Sequence, residues 1–155
     1  VSNKTENRFE SRRRARRRAL QALYQWHLTK QDAGEILNQF REEQDFSNVD
    51  TELFATLVRK VSTDQENLDE KIKPFLDRPV KQLDIIEHVI LSIASYELLS
   101  SIEVPHQVVI DEAINLAKQF GAEQGHSFIN GVLDKAAKQW RDPASLAILN
   151  TQKSD

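Results

Sequence analysis

The sequence predicts an all-α fold built from two packed helical-bundle subdomains. Three observations carry that expectation. Apolar residues recur at three- and four-residue spacing through most of the 155-residue chain. No segment shows the strict alternation of a half-buried strand, and no glycine-rich nucleotide loop is present among only four glycines. Pro74 and Pro79 interrupt the helical pattern and mark a junction.

Residues 1–10 are polar and read as a flexible N-terminal arm. Ser11 is placed to cap a helix over about Arg12–Leu28. Its inward stripe is Ala15, Ala19, Ala22, Leu23 and Trp26, and Arg13, Arg17, Leu20 and Tyr24 form a line roughly opposite. A second helix covers about 32–43, with Ile36, Leu37 and Phe40 inward. Ser47 and Asn48 lie in a turn, and Asp50 caps a third helix, with Val49 and Phe54 as its hydrophobic staple. That helix buries Leu53, Phe54, Leu57, Val58 and Val61. A short helix including Leu68, Ile72, Phe75 and Leu76 precedes the junction.

Beyond it, a strong helix runs from about Gln82 to Ser100, burying Leu83, Ile86, Val89, Ile90, Ile93 and Ala94. Pro105 opens the next helix and Gly121 ends it. The last helix spans roughly 123–139, with Ile129, Val132, Leu133, Ala136 and Trp140 at helical spacing. The subdomains are therefore expected at 11–78 and 79–142, with a frayed tail over 143–155. Gly131 sits mid-helix, where it costs about 1 kcal/mol relative to alanine. The favoured reason is close approach of a neighbouring helix, with Asn130 bonding to a neighbouring loop or helix, over direct contact with RNA.

Charge is distributed very unevenly. The first 18 residues carry eight cationic and two acidic side chains, a local charge of +6. The rest carries thirteen and twenty-two, a charge of −9. A cationic head on an acidic body points to one local polyanion-binding surface. Arginine suits phosphate because it binds through two donors and keeps its charge when dehydrated. Tyr24, beyond the arginines, has a π-face on which a base can stack or, equally, a place in the core. The alternative reading is a non-enzymatic scaffold whose basic helix docks an acidic protein. Like-charge pairs Arg13–Arg17 and Arg14–Arg18 each cost about 0.2–0.5 kcal/mol in an isolated helix, which a bound polyanion would offset.

Several classes are disfavoured. The chain has no cysteine, which removes disulfides, thiol catalysis and thiolate metal sites and fits a cytoplasmic protein. No apolar run reaches the roughly 18–20 residues needed to span a bilayer. No hydrophobic secretory segment follows the basic N-terminus, so the arginines are expected in the mature chain. Glu6 and Glu10 interrupt the acid-poor composition of a mitochondrial presequence. His27, His88, His106 and His126 are isolated, and Asp111–Glu112 reads as solvent-exposed helix-end charge. No motif asks for a metal, a cofactor or catalysis.

Two strings go further. One is Arg13-Arg14-Ala15-Arg16-Arg17-Arg18-Ala19-Leu20-Gln21-Ala22-Leu23-Tyr24-Gln25-Trp26. The other runs from Val104-Pro105-His106 through Phe120-Gly121 to Phe128-Ile129-Asn130-Gly131-Val132-Leu133-Asp134-Lys135. In this order and separation they resemble the NusB family of bacterial transcription antitermination factors, over roughly residues 12–140. The resemblance implies binding of the single-stranded boxA element of nascent ribosomal RNA transcripts. It implies ribosomal protein S10 (NusE) as partner, and assembly with RNA polymerase and other Nus factors. The RNA surface it implies maps to Arg12, Arg13, Arg14 and Arg16, extended by Arg17 and Arg18, with Tyr24 and Phe128 as aromatics. For Phe128 a core role stays equally open. The resemblance places Glu87 on the helix that meets S10.

Overall fold

The computed structural model describes residues 2–121 and 125–142. The tail expected over 143–155 lies outside the described residues. Among these residues the regular structure is entirely helical, and the chain divides into two compact units, Val1–Glu66 and Asn67–Asp155.

The first unit holds α1 (Ser2–Thr29), α2 (Ala33–Glu43) and α3 (Thr51–Thr63). α1 starts nine residues before the expected cap. Nothing in residues 2–10 breaks a helix. Glu10 lies 3.7 Å from Arg13, and the Arg13 guanidinium sits 5.0 Å from the Phe9 ring centre, so local pairs carry the helix past Ser11. The Ser11 hydroxyl donates to the Arg8 carbonyl at 2.9 Å, inside the helix, and caps nothing. Ala15, Ala19, Ala22 and Leu23 are fully buried, as their spacing predicts. Leu20, expected on the opposite line, is buried too. Short alanine side chains permit close helix packing, and α1 packs mainly on α3 and then on α2.

The other two helices start where the sequence says. Asp32 accepts from the Glu35 amide and Asp50 from the Leu53 amide, each satisfying an orphan N–H of the first turn. Ile36, Leu37 and Phe40 of α2 and Phe54, Leu57, Val58 and Val61 of α3 are buried. Phe54 is fully enclosed, with ring centres of Phe46 at 4.9 Å and Phe40 at 6.2 Å.

α4 (Gln65–Ile72) crosses the boundary, which falls after Glu66 and not at the prolines. The reason is local packing. Leu68 and Ile72 are buried, His88 Nε2 lies 2.7 Å from Asp69 Oδ1, and the Phe75 ring meets Trp140 edge-on at 5.6 Å. Pro74 shortens the helix to a 3-10 turn at Lys73–Phe75 without ending the unit.

The rest of the second unit is α5 (Ile85–Ser100), α6 (His106–Gln119) and α7 (Gly125–Trp140), each packed against the other two. Asp84 caps α5 by accepting from the Ile86 amide at 2.7 Å. α5 is buried around its circumference, with Leu91, Ser92, Ser95, Glu97 and Leu98 added to the expected stripe and Ile86 only half-buried. Pro105 precedes α6, and Gly121 follows its C-cap at φ +87°, a left-handed position suited to glycine. Glu112 is buried and partnered, contrary to its expected exposure; only Asp111 faces solvent. Gly131 also departs from expectation. It is exposed, a Cβ built there would touch nothing within 4 Å, and Asn130 is exposed beside it. No close helix approach requires this glycine.

Candidate nucleic-acid interface

The arginines from Arg12 to Arg18 of α1 occupy four kinds of environment, set by where 100° steps carry them around the helix. Arg14 and Arg18, one turn apart, face the loop that joins α2 to α3. Arg14 Nη1 donates to the Asn48 carbonyl at 3.3 Å, and Arg18 Nη2 donates to the Asp45 carbonyl at 3.1 Å. The Arg18 guanidinium also lies 5.7 Å from the Phe46 ring centre. These tethers separate two like charges at i and i+4. They are also electrically neutral, so they orient each guanidinium without cancelling its charge.

The loop itself is fixed to α1. The Asp50 amide donates to the Ser11 carbonyl at 3.0 Å, and the Val49 amide to the Phe46 carbonyl at 3.1 Å. The Ser47 amide donates to Asp45 Oδ1 at 2.9 Å. That bond first, the Ser47 hydroxyl second and the positive charge of Arg18 third hold the Asp45 carboxyl below the usual carboxylate range.

Arg13 is half-buried between Glu10 and Phe9, in the contacts that extend the helix. Arg12 and Arg17 are half-buried, and their Nε atoms are shielded from solvent without a hydrogen-bond partner among the described residues. Arg16 is different: it is 2% exposed and has a partner within the protein. A side chain so enclosed does not present its guanidinium to solvent in this conformation. Tyr24 is 36% exposed, so its ring reaches solvent and is not a core residue.

In the second unit Phe128 is half-buried near the start of α7. Its ring face is not bare. The Arg78 guanidinium stacks on it, 4.3 Å from the ring centre, while Arg78 Nε donates to Asp77 Oδ1 at 2.8 Å. The Asp77 bond, and more weakly the field of Glu87, raise the Arg78 pKa, and Asp77 is lowered by the same bond. Glu87 stands half-buried in the first turn of α5, where a negative charge suits the helix dipole. Among the described residues, no three His, Asp or Glu side chains form a metal-binding group, and no helix is long and apolar enough to cross a membrane.

Comparison with known proteins decides the family. Residues 13–138, most of the chain, match the NusB family. The chain belongs to the NusB family. It is 50% identical over 123 residues to the transcription antitermination protein NusB of Idiomarina loihiensis, covering 79% of this chain and 88% of that protein. The NusB proteins of Pectobacterium carotovorum and Xanthomonas oryzae are 49% and 48% identical over 123 residues each, covering 79% of this chain and 88% and 79% of theirs. The solved structure of T. maritima NusB aligns with a TM-score of 0.69 at 29% identity, covering 81% of this chain and 89% of that one. Membership makes this chain a non-enzymatic adaptor of transcription antitermination.

The Arg78–Phe128 contact is not visible in the sequence. The setting of Arg78, Asp77-Arg78-Pro79, reads as an ordinary polar turn, and only the folded unit lays the guanidinium on Phe128. The role of the α2–α3 loop was equally hidden, because its contacts to Arg14 and Arg18 use backbone carbonyls that any residue would supply.

Proposed function

We propose that this NusB-family chain binds the single-stranded boxA element of nascent ribosomal RNA transcripts together with ribosomal protein S10 (NusE). The pair joins RNA polymerase and other Nus factors in the cytoplasm to suppress premature termination. One observation supports the RNA half above all: Arg14 and Arg18 are aimed by neutral carbonyls and so keep their charge for phosphate. Arg13 and exposed Tyr24 extend that surface, the ring offering a stacking face. Arg12 and Arg17 contribute charge from their half-buried positions. Phe128 takes part with Arg78 laid over it, so a nucleotide meets a cation–aromatic pair and not a naked ring. Glu87 contributes to the S10 surface. Binding both partners at once raises the effective concentration of each for the other.

The test is a titration of boxA RNA, alone and with S10, against a scrambled RNA of equal length. Tighter binding of boxA with S10 present is the expected result. Replacing Arg14 or Arg18 by glutamine should weaken binding and lower the salt-dependence slope by roughly 0.7 for each lost phosphate contact. Glu87→Ala should weaken mainly the S10 complex. Equal affinity for boxA and scrambled RNA with S10 present would overturn the sequence-specific part. Capture of an acidic protein by a chain that ignores RNA would favour the scaffold reading instead.

A further inference from the structure

We infer that the cleft between the N-terminal turns of α1 and the α2–α3 loop is a nucleotide subsite for single-stranded RNA. One backbone phosphate sits on Arg8 and Arg14, and the attached nucleotide is held by the carboxamides of Asn7 and Asn48. This rests on the RNA-binding reading above and extends it to a loop outside the arginine string.

The cleft has a volume of about 450 Å³, in the range of small-ligand sites. Its floor is Ser11. That residue is small, and its hydroxyl is turned back to the Arg8 carbonyl, which leaves room between the arginines on either side. Arg8 and Arg14 are six residues apart, about 9 Å along the axis, and both line the cleft beside Ser11. Among the described residues no carboxylate lines the cleft. The neighbouring acid, Asp45, is tied to the Ser47 amide.

The two arginines are available in different ways. Arg8 is exposed, and its guanidinium has no hydrogen bond or ion pair among the described residues. Arg14 spends one donor on the Asn48 carbonyl at 3.3 Å, which leaves four of its five N–H groups for a ligand. Donors of two arginines lining one cleft with no counter-charge fit a phosphate.

The opposite wall is rigid. The loop is fastened through Asp50 to Ser11 and through Phe46 to Phe54, so the exposed Asn48 side chain is presented from a fixed backbone. Exposed Asn7 faces it from α1. Each carboxamide offers both donors and an acceptor, the complement of a ribose hydroxyl or a base edge. An acidic peptide would use the arginines but has little need of two carboxamides, and among the described residues Val49 is the one apolar side chain lining the cleft.

The experiment uses the full chain with boxA RNA, with and without S10, and reads affinity, salt slope and amide NMR shifts. Arg8→Gln should weaken binding and reduce the salt slope by roughly 0.7. Asn48→Ala should weaken binding about threefold to tenfold and leave the slope unchanged, because it removes neutral hydrogen bonds only. The Arg14 tether uses the Asn48 backbone, so the substitution leaves it in place, and an unchanged melting temperature will verify that. Saturating RNA should shift the Ser47 and Asn48 amides and the Asn48 side-chain NH2. Wild-type binding to boxA with neither variant affected and no shift at residues 47–48 would overturn the subsite while sparing the function proposed above. Shifts of the same size with a polyglutamate peptide would assign the cleft to an acidic protein and also overturn it. Absence of any RNA binding by wild type would sink both readings.

Discussion

Replacing Arg141 by alanine should loosen the far end of α5 and the connection to α6. Arg141 follows α7, and all five of its guanidinium N–H groups point at backbone carbonyls. Nε donates to Leu98 at 2.6 Å, Nη1 to Val104 at 2.9 Å and Ile102 at 3.4 Å, and Nη2 to Glu97 and Ser101 at 3.1 Å each. The carbonyls of Glu97 and Ser101 already accept from the Ser101 and Val104 amides, so Arg141 gives them a second bond, and its cation sits at the negative end of the α5 dipole. Burial pulls the Arg141 pKa down, and the fields of Glu103 and Glu97 oppose that shift, so the charge is retained inside the fold. A hydrogen bond to a charged donor nets about 1.5–3 kcal/mol. Five such bonds do not add, since truncation lets water reach some carbonyls and the 3.4 Å contact is weak. Two to three at the lower value give about 3–4.5 kcal/mol for Arg141→Ala. Lysine restores the charge with three donors at a single point, so Arg141→Lys should recover about half. Because the chain has two units, site-resolved hydrogen exchange is a better assay than a global melt. The amides of Ser101, Val104 and Val109, bonded to Glu97, Ser101 and Pro105, report the region directly. Protection unchanged to within about 0.5 kcal/mol at all three would show that water serves these carbonyls as well as Arg141 does.

Gly131→Ala should stabilise the second unit by about 0.5–1 kcal/mol in a thermal or urea melt, because the position is helical, exposed and open to a methyl group. Destabilisation would mean that the backbone there needs glycine after all. The Asp45 contact with Ser47 should depend on pH in one direction. Its carboxyl is depressed in the folded chain, so the contact contributes fully above the ordinary aspartate pKa of about 3.9 and is lost as pH falls through the lower folded value. Following the Ser47 amide by NMR from pH 6 downward checks this; a transition centred near pH 5 would contradict the assigned direction.

What local chemistry determines was legible in the sequence. Asp50 was readable as a cap because capping needs one short acceptor at one position, and Gly121 as a stop because a left-handed residue favours glycine. Ser11 misled because a capping residue is necessary for many helix starts but sufficient for none. The polar segment before it has pairs of its own, Glu10 and Phe9 with Arg13, that continue the helix. Gly131 misled because a mid-helix glycine has more than one cause, and its neighbours in space decide between them. Arg78 and Arg141 were invisible for the same reason. Their partners lie 50 and about 40 residues away, and a surface-looking arginine carries no local mark of burial or stacking.

The arginine string shows most sharply where periodicity stops being informative. It groups residues by angle, yet Arg16 and Arg14 differ in what surrounds them, and their functions should separate on substitution. Arg16→Gln removes an enclosed charge and strands its partner, a change that costs about 2–4 kcal/mol in such settings. Arg14→Gln gives up one 3.3 Å bond to an exposed loop carbonyl and should cost less than about 1 kcal/mol. The RNA readout should run the other way. Arg14→Gln lowers the salt slope by roughly 0.7, whereas Arg16→Gln, measured where the variant is still folded, leaves it unchanged because that enclosed guanidinium neutralises no RNA phosphate. Urea melts and RNA titrations at several salt concentrations on the same two proteins supply all four numbers. An Arg16→Gln protein that is as stable as wild type but has a shallower salt slope would mean that Arg16 swings out to meet RNA, and that the enclosed position is one of two it can occupy.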